Sequence, residues 1–288
     1  MYEDAMKTPL SAWDKVQISR NVQRPRTLDY IRILCDDFFE LHGDRRFADD
    51  AAIVGGVGRM MGQSVVVIGH QKGRDTRENM RRNFGMPKPE GYRKAMRLFY
   101  HAEKFALPVI CLIDTPGADP SMESETRGQG NAIAENILVM AQLRTPLVSL
   151  VIGEGGSGGA LAIGVTDRIL MLEHSVYSVA APEASAAILW RDASKAADAA
   201  KTMRITAQDL HEMAIVDEII PEPEGGAHHT PEATVRLAGE RLMHHIEHLS
   251  ALPMQVLLDQ RYQKYRVIGA FTQAATPQHG HGDIMSFL

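Results

Sequence analysis

The spacing of Leu28, Ile31, Leu34, Phe38 and Leu41 is that of one apolar helical face, and Thr27 stands where it can cap such a helix. Residues 51–58 and 63–69 are β-rich runs around Met60-Met61-Gly62, which predicts a hairpin. An amphipathic helix over 90–107 gathers Tyr92, Ala95, Met96, Phe99, Ala102 and Ala106 on one side and stops at Pro108. The buried run 109–113 closes on Asp114-Thr115-Pro116-Gly117, where Pro-Gly suits the middle of a type II turn. A polar loop over 118–127 leads to a helix over 130–143, and Pro146 restarts the chain into a buried strand over 147–152. Five glycines follow within seven residues, Gly153, Gly155, Gly156, Gly158 and Gly159, and then a small-residue helix over 160–165. Two strand–glycine turn–helix units therefore follow one another. In an α/β layer their turns share one end of neighbouring strands, which is where ligands bind.

Beyond Asp167 the pattern predicts short strands at 168–172 and 176–180 and a helix over 182–190 with Pro182 in its first turn. An alanine-rich stretch over 193–203, a helix near 207–213 and a last strand at 216–220 come next. The breaker cluster 221–226 precedes helices over 231–250 and 253–267. A polar N-terminal segment, 1–26, thus leads into a main domain over 27–250, a C-terminal helix over 251–270 and a tail over 271–288 expected to be disordered.

A chain gives up side chains as thoroughly as residues 153–159 do when something must lie against its backbone, or when it needs positive φ. Gly153-x-Gly155-x-x-Gly158 fits the dinucleotide fingerprint, with Glu173 downstream. Gly155-x-Ser157-x-Gly159 fits a serine-hydrolase elbow, for which His174 or His211 would have to serve as base. Gly153 and Gly158 also have P-loop spacing, but Gly159 and Ala160 stand where Lys and Ser/Thr are required, so the NTPase reading fails. The dinucleotide reading needs a full helix after Gly158, and few residues separate Gly159 from Asp167. What all these motifs share is bare backbone N–H groups aimed at an anionic oxygen.

Composition narrows the field. The chain has 288 residues, 44% apolar and 23% charged, ordinary for a soluble globular protein. Its net charge of −5 and lack of a long basic tract argue against a nucleic-acid partner. No apolar run reaches the length of a membrane span and no signal-peptide core opens the chain, so a cytoplasmic protein is expected. Cys35 and Cys111 read as buried thiols. His244-x-x-Glu247-His248 has zinc-ligand spacing, but little folded chain remains downstream for a third ligand. Ala5-Met6-Lys7 echoes a biotin attachment site without the flanking domain it needs. The cation-rich stretch 70–94, which includes Arg81 and Arg82, is long enough to be a functional loop that meets phosphates or an acidic surface.

RPRTLDYI (24–31), DDAAIVGGVGRMMG (49–62), IGHQKGRDTRENMRRNFGMPKPEGYRKAMRL (68–98), DTPGADPSMESETRGQGNAIAEN (114–136), VIGEGGSGGALAIGV (151–165) and DEIIPEPEGGAH (217–228) closely resemble the alpha subunit of the bacterial acetyl-CoA carboxylase carboxyltransferase, a likeness running from Ala12 to Arg266. The resemblance implies a crotonase-like α/β fold: a superhelix of repeated ββα units, with extra helices. It also implies transfer of a carboxyl group from carboxybiotin to acetyl-CoA, giving malonyl-CoA, the first committed step of fatty acid synthesis. The implied partners are a carboxyltransferase beta subunit in an α2β2 assembly, the biotin carboxyl carrier protein that presents biotin in trans, and biotin carboxylase. No cofactor would be covalently bound to this chain, zinc is expected only on the beta subunit, and activity requires that subunit.

Carried onto this sequence, Gly158 and Gly159 would hold the biotin ureido oxygen, with a second donor from Gly128 or Gln129. Gly117 and Gly156 would line the substrate site, and Arg127, Arg81 and Arg82 would meet carboxylate or phosphate. The sequence departs from the family pattern at Asp119, where a tyrosine is usual, at Pro120-Ser121, and at Ala184-Ser185, where Gly-Cys is common. A helical segment usual before Trp13 is also not seen. The alternatives are a subunit acting on another acyl-CoA, a nicotinamide-dependent dehydrogenase, and a non-catalytic scaffold.

Overall fold

The apolar runs assemble into one mixed sheet. In the computed structural model, which describes residues 9–269, the elements in chain order are α1 (Ala12–Ser19), α2 (Thr27–Leu34), β1 (Cys35–Glu40), β2 (Ile53–Met60), β3 (Gln63–His70), α3 (Thr76–Arg81), α4 (Pro89–Lys104), β4 (Val109–Thr115), α5 (Met122–Thr126), α6 (Gln129–Gln142), β5 (Leu147–Gly156), α7 (Ser157–Leu161), β6 (Arg168–Leu172), β7 (Val176–Ser178), α8 (Pro182–Trp190), α9 (Ala196–Met203), α10 (Ala207–Glu212), β8 (Glu218–Ile220), α11 (Pro231–Ser250) and α12 (Met254–Arg266). The strand order is β1-β2-β3-β4-β5-β6-β8. β1, β2 and β3 pair antiparallel, and β3 through β8 run parallel.

Both faces of the parallel strands are covered, which is why they read as unbroken apolar runs. On β4, Val109, Cys111 and Ile113 pack with Leu98, Phe99, Met140 and Leu143 from α4, α6 and the residue after it. Ile110 and Leu112 face the other way, onto Tyr30 of α2 and Val235, Leu242 and Ile246 of α11. α12 is pegged to this frame by Arg261, buried at 1% exposure. It pairs with Asp167 and donates to the carbonyls of Met140, Leu143 and Thr145 at the C-terminal end of α6.

The sheet then turns a corner at the level of the functional loops. β4 and β5 pair in register from Val109↔Leu147 to Ile113↔Val151, shift, and meet again at Thr115↔Gly155. β5 gives its first half to β6 and its end to β7, where Glu154, Gly155 and Gly156 pair with Val176, Tyr177 and Ser178. The end of β5 thus leaves β6 for β7, a branch of the same sheet, at the level of the glycine turns.

Three expectations change. The apolar spacing of 27–41 is not one helix: α2 ends at Leu34 and the chain becomes β1. Phe38 and Leu41 satisfy a helical period, yet the open edge of β2 offers backbone partners, and the bare faces of Gly56 and Gly58 receive the Phe38 ring. Thr27 lies inside α2 and its hydroxyl donates to the His70 carbonyl at 2.6 Å. β5 runs on to Gly156, so the following helix starts at Ser157 and is only five residues long. The polar segment 1–26 contains α1, opened by a Ser11–Asp14 capping box, whose Val16 packs with Val176, Ala200 and Ile205. Residues 5–7 and the tail at 271–288 lie outside the described residues. No helix among the described residues is long and apolar enough to cross a membrane.

Candidate active site

The two glycine turns are packed backbone against backbone. A Cβ on Gly156 would lie 2.2 Å from the Pro116 carbonyl oxygen, and one on Gly159 would lie 2.4 Å from the Ala118 nitrogen and 2.6 Å from the Gly117 carbonyl carbon. These two glycines are therefore needed for close approach of the loops. Gly158 differs: its Cβ would meet only Ile133 of α6, at 3.6 Å, an ordinary contact. Gly117, with φ +152°, donates its N–H to the Thr115 hydroxyl at 3.0 Å, and that hydroxyl donates back to the Gly117 carbonyl at 2.7 Å.

The chain enters α7 through Ser157, whose φ of +56° is left-handed for a residue with a side chain and costs about 1–2 kcal/mol. Residues 157–160 form the first turn of α7, where amides have no intrahelical acceptor. Among the described residues, neither Gly158 nor Gly159 donates its N–H to a loop or strand carbonyl. Gly158 is half-buried and Gly159 buried. The strand end just before this turn borders a small cleft of about 10 Å³, lined by Arg20, Pro116, Glu154, Gly155, Gly156 and Pro182, with Gly158 and Gly159 outside that lining.

The other residues singled out in the sequence are placed differently. The Gly128 amide is taken by the Glu125 carbonyl at 3.0 Å, and its φ of +83° starts α6. The Gln129 side chain is buried and its amide donates to the carbonyls of Pro87 (2.8 Å) and Asp119 (3.0 Å), so it braces two loops. Gln129 Nε2 and Gly128 N–H are thus both committed within the chain. Arg127 is likewise engaged, with Glu90 at 2.8 Å and Glu123 at 2.7 Å and its guanidinium over the Phe47 ring. Arg82 is buried and donates to the Ala51 carbonyl at 2.9 Å. Arg81 is exposed at the end of α3. Asp119 is buried and accepts from the Ser121 and Ser124 hydroxyls, so it ties down its own loop. Ala184 falls in the regular helix α8, where no turn requires glycine.

The competing motifs find no support in this geometry. His211 Nδ1 lies 3.0 Å from the Val216 carbonyl, and the His174 amide donates to Glu222; neither ring is paired with Ser157. Five residues of α7 are too few to cover a parallel sheet under a dinucleotide. On α11, His245 Nε2 lies 2.7 Å from Glu218.

Sequence reasoning passed over the charge cluster beneath the turns. Lys72, after β3, lies 2.8 Å from Asp114 and 2.7 Å from Glu154, the residues at the ends of β4 and β5. Arg26 pairs with Asp114, and Arg20 pairs with Glu154 and Glu183. The Glu154 amide donates to Asp114 at 3.1 Å, linking the two turns directly. Burial pushes Asp114 upward, but Lys72 and Arg26 more than reverse this and hold it well below the usual carboxylate range. Glu154 is likewise raised by burial and lowered further by Lys72 and Arg20. The available signal was the position of Asp114 and Glu154, each just before a glycine turn at the carboxyl end of a parallel strand.

A family model described as acetyl co-enzyme A carboxylase carboxyltransferase-like matches residues 2–269. The chain is 55% identical over 273 residues to the acetyl-coenzyme A carboxylase carboxyl transferase subunit alpha of Methylococcus capsulatus, covering 95% of this chain and 85% of that one. It is 57% identical over 263 residues to the protein of that name from Halalkalibacterium halodurans, covering 91% and 81%. Among solved structures, transcarboxylase 12S with methylmalonyl-coenzyme A bound matches with a TM-score of 0.62 at 18% identity; the match covers 94% of this chain and only 46% of that one. A malonate decarboxylase hetero-dimer from Pseudomonas matches with a TM-score of 0.65 at 18% identity, covering 84% and 96%. These likenesses give the fold as that of the crotonase-like carboxyltransferases.

Proposed function

The chain belongs to the acetyl-CoA carboxylase carboxyltransferase family as an alpha subunit, and we propose that its two glycine turns form the carboxybiotin half of a site completed by a second subunit. The observation that carries this reading is the pair of adjoining amides, Gly158 and Gly159, left without a loop or strand acceptor among the described residues and set on bare Cα atoms. The space where a Gly158 side chain would stand is open apart from Ile133, so a planar ring can approach these N–H groups.

Carboxybiotin, presented in trans on a carrier protein, supplies the carboxyl group and, once relieved of it, a basic ring nitrogen. The chain's own part is electrostatic. The Gly158 and Gly159 N–H groups hold the ureido oxygen as it gains negative charge, and each such donor contributes about 3 kcal/mol. The Gly117 turn, locked by Thr115, backs the loop that carries them. The Asp114–Lys72–Glu154 cluster fixes the distance between the two turns. No side chain of this subunit is required as general base.

A partner subunit is supported by what surrounds the cleft. At about 10 Å³ it is too small to enclose a ligand by itself. Beside it, α8 exposes Ile188 at 77% and Leu189 at 61%, and Val179 is 80% exposed. Exposed apolar side chains of this size on and next to α8 favour a protein-interaction surface. The beta subunit would cover them and bring the acetyl-CoA; zinc would belong to that subunit, and exposed Arg81 remains available for a phosphate or carboxylate.

The test is Gly158→Val in the purified complex with the beta subunit. Malonyl-CoA formation from acetyl-CoA and carboxybiotin is expected to fall to background while the subunits still co-elute. Turnover within a few-fold of the parent would overturn the assignment.

A further inference from the structure

His70 ends β3, next to β4 and its glycine turn, and is fully buried. Burial, opposed by the Asp114 carboxylate, pushes its pKa down to about 4, so the ring is neutral at physiological pH. Its Nδ1 receives the Asp114 amide at 3.4 Å, which puts the single ring proton on Nε2. Nε2 is buried and has no hydrogen-bond partner. An unmatched buried donor is costly and calls for an explanation.

The α7 turn holds an acceptor without a partner of its own. The α7 ladder tightens as it leaves Gly159: Ala162 donates to the Gly158 carbonyl, Ile163 to Ala160 and Gly164 to Leu161. The Gly159 carbonyl is skipped. The Gly159 carbonyl approaches the His70 ring closely enough to raise the basicity of the imidazole, as does the Leu112 carbonyl on β4, while no acceptor among the described residues reaches Nε2 at full hydrogen-bond geometry.

We propose that His70 is a positioning residue: its Nε2–H holds the skipped Gly159 carbonyl from behind and so keeps the Gly158 and Gly159 amides turned toward the cleft. The inference rests on the reading of those amides as the oxyanion donors. Its partner is the neutral imidazole, which supplies direction without adding a charge beneath the developing anion.

Asparagine and glutamine separate the two ring nitrogens. His70→Asn can still accept from the Asp114 amide but does not reach Gly159; His70→Gln places an amide donor near the Nε2 position. In the complex with the beta subunit, His70→Asn is expected to lower kcat by about tenfold or more with an unchanged KM for acetyl-CoA, whereas His70→Gln restores most of it, at matched melting temperatures. Equal losses in the two variants, or none in either, would overturn the proposal. A direct readout that does not depend on turnover is the ¹⁵N spectrum of the histidine-labelled parent complex, with the His70 resonances assigned by their loss in whichever variant folds. A ring protonated at Nε2 is expected; a ring protonated at Nδ1, donating to the neighbouring Leu112 carbonyl, sinks the idea. A wrong tautomer with an inactive Gly158→Val leaves the oxyanion reading standing, while an active Gly158→Val removes that reading whatever the tautomer.

Discussion

Replacing Gly159 with alanine tests whether the two turns act as one packed unit. The added Cβ would sit 2.4 Å from the Ala118 nitrogen and 2.6 Å from the Gly117 carbonyl carbon, both backbone atoms with no side-chain freedom to move aside. Ordinary contacts of this kind are about 3.5 Å, so the loops must separate by roughly 1 Å. Overpacking of this sort costs about 1–3 kcal/mol. For a domain of this size the melting temperature should then drop by roughly 2–12 °C. A shift of 1 Å also takes the Gly159 N–H out of reach of the bound oxygen, and losing one such donor costs about 3 kcal/mol, roughly a hundredfold in kcat. Gly158→Ala is the internal control for stability, since its Cβ finds ordinary contact with Ile133 at 3.6 Å. Removing a helical glycine there should leave the melting temperature unchanged or raise it slightly. Differential scanning fluorimetry of both variants, with carboxyltransferase assays of their complexes, measures the two effects separately. Gly159→Ala with parental stability and turnover would refute the packing argument, and so would a Gly158→Ala variant less stable than Gly159→Ala.

Lys72→Met removes the cation shared by Asp114 and Glu154 and leaves each with one partner, Arg26 or Arg20; urea unfolding should show a loss on the order of 1–3 kcal/mol. The parent should also lose stability in acid: Asp114 and Glu154 have depressed pKa values in the fold, so their contribution is complete above their unfolded values near 4 and fades as pH falls through the folded ones. His70 adds in the same direction, being neutral in the fold down to about 4. Unfolding free energies measured from pH 7 to pH 3 should therefore fall throughout, and a flat profile would contradict the cluster. Arg261→Met strips Asp167 of its buried partner and three α6-end carbonyls of their donor; a loss on the order of 3–5 kcal/mol, read by chemical denaturation, is expected, and parental stability would show that α12 is not pegged to the core.

The sequence by itself determined the order of most elements and where the backbone is barest. Apolar runs bounded by Pro and Gly mark β4 and β5 because a strand buried on both faces leaves no room for a polar position, and Pro182 marks the start of α8 because proline is tolerated in a helix only in its first turn. The glycine density at 153–159 marked a close backbone approach, as found at Gly156 and Gly159, because only bare Cα atoms allow one. What the local pattern left open was settled by partners far along the chain. Phe38 and Leu41 fit a helix until the edge of β2 is there to pair with. Gly156, Gly158 and Gly159 look alike in sequence, and only the neighbouring turn makes two of them a matter of packing and one a matter of access. Arg82 and Arg127 read as free cations because their counter-groups, the Ala51 carbonyl, Glu90 and Glu123, come from other segments or another turn. The charge cluster of Lys72, Asp114 and Glu154 exists only once three strand ends lie side by side. Periodicity reports which face a residue presents; it carries no information about which distant atom meets that face, and hydrogen bonds and ion pairs act only at contact.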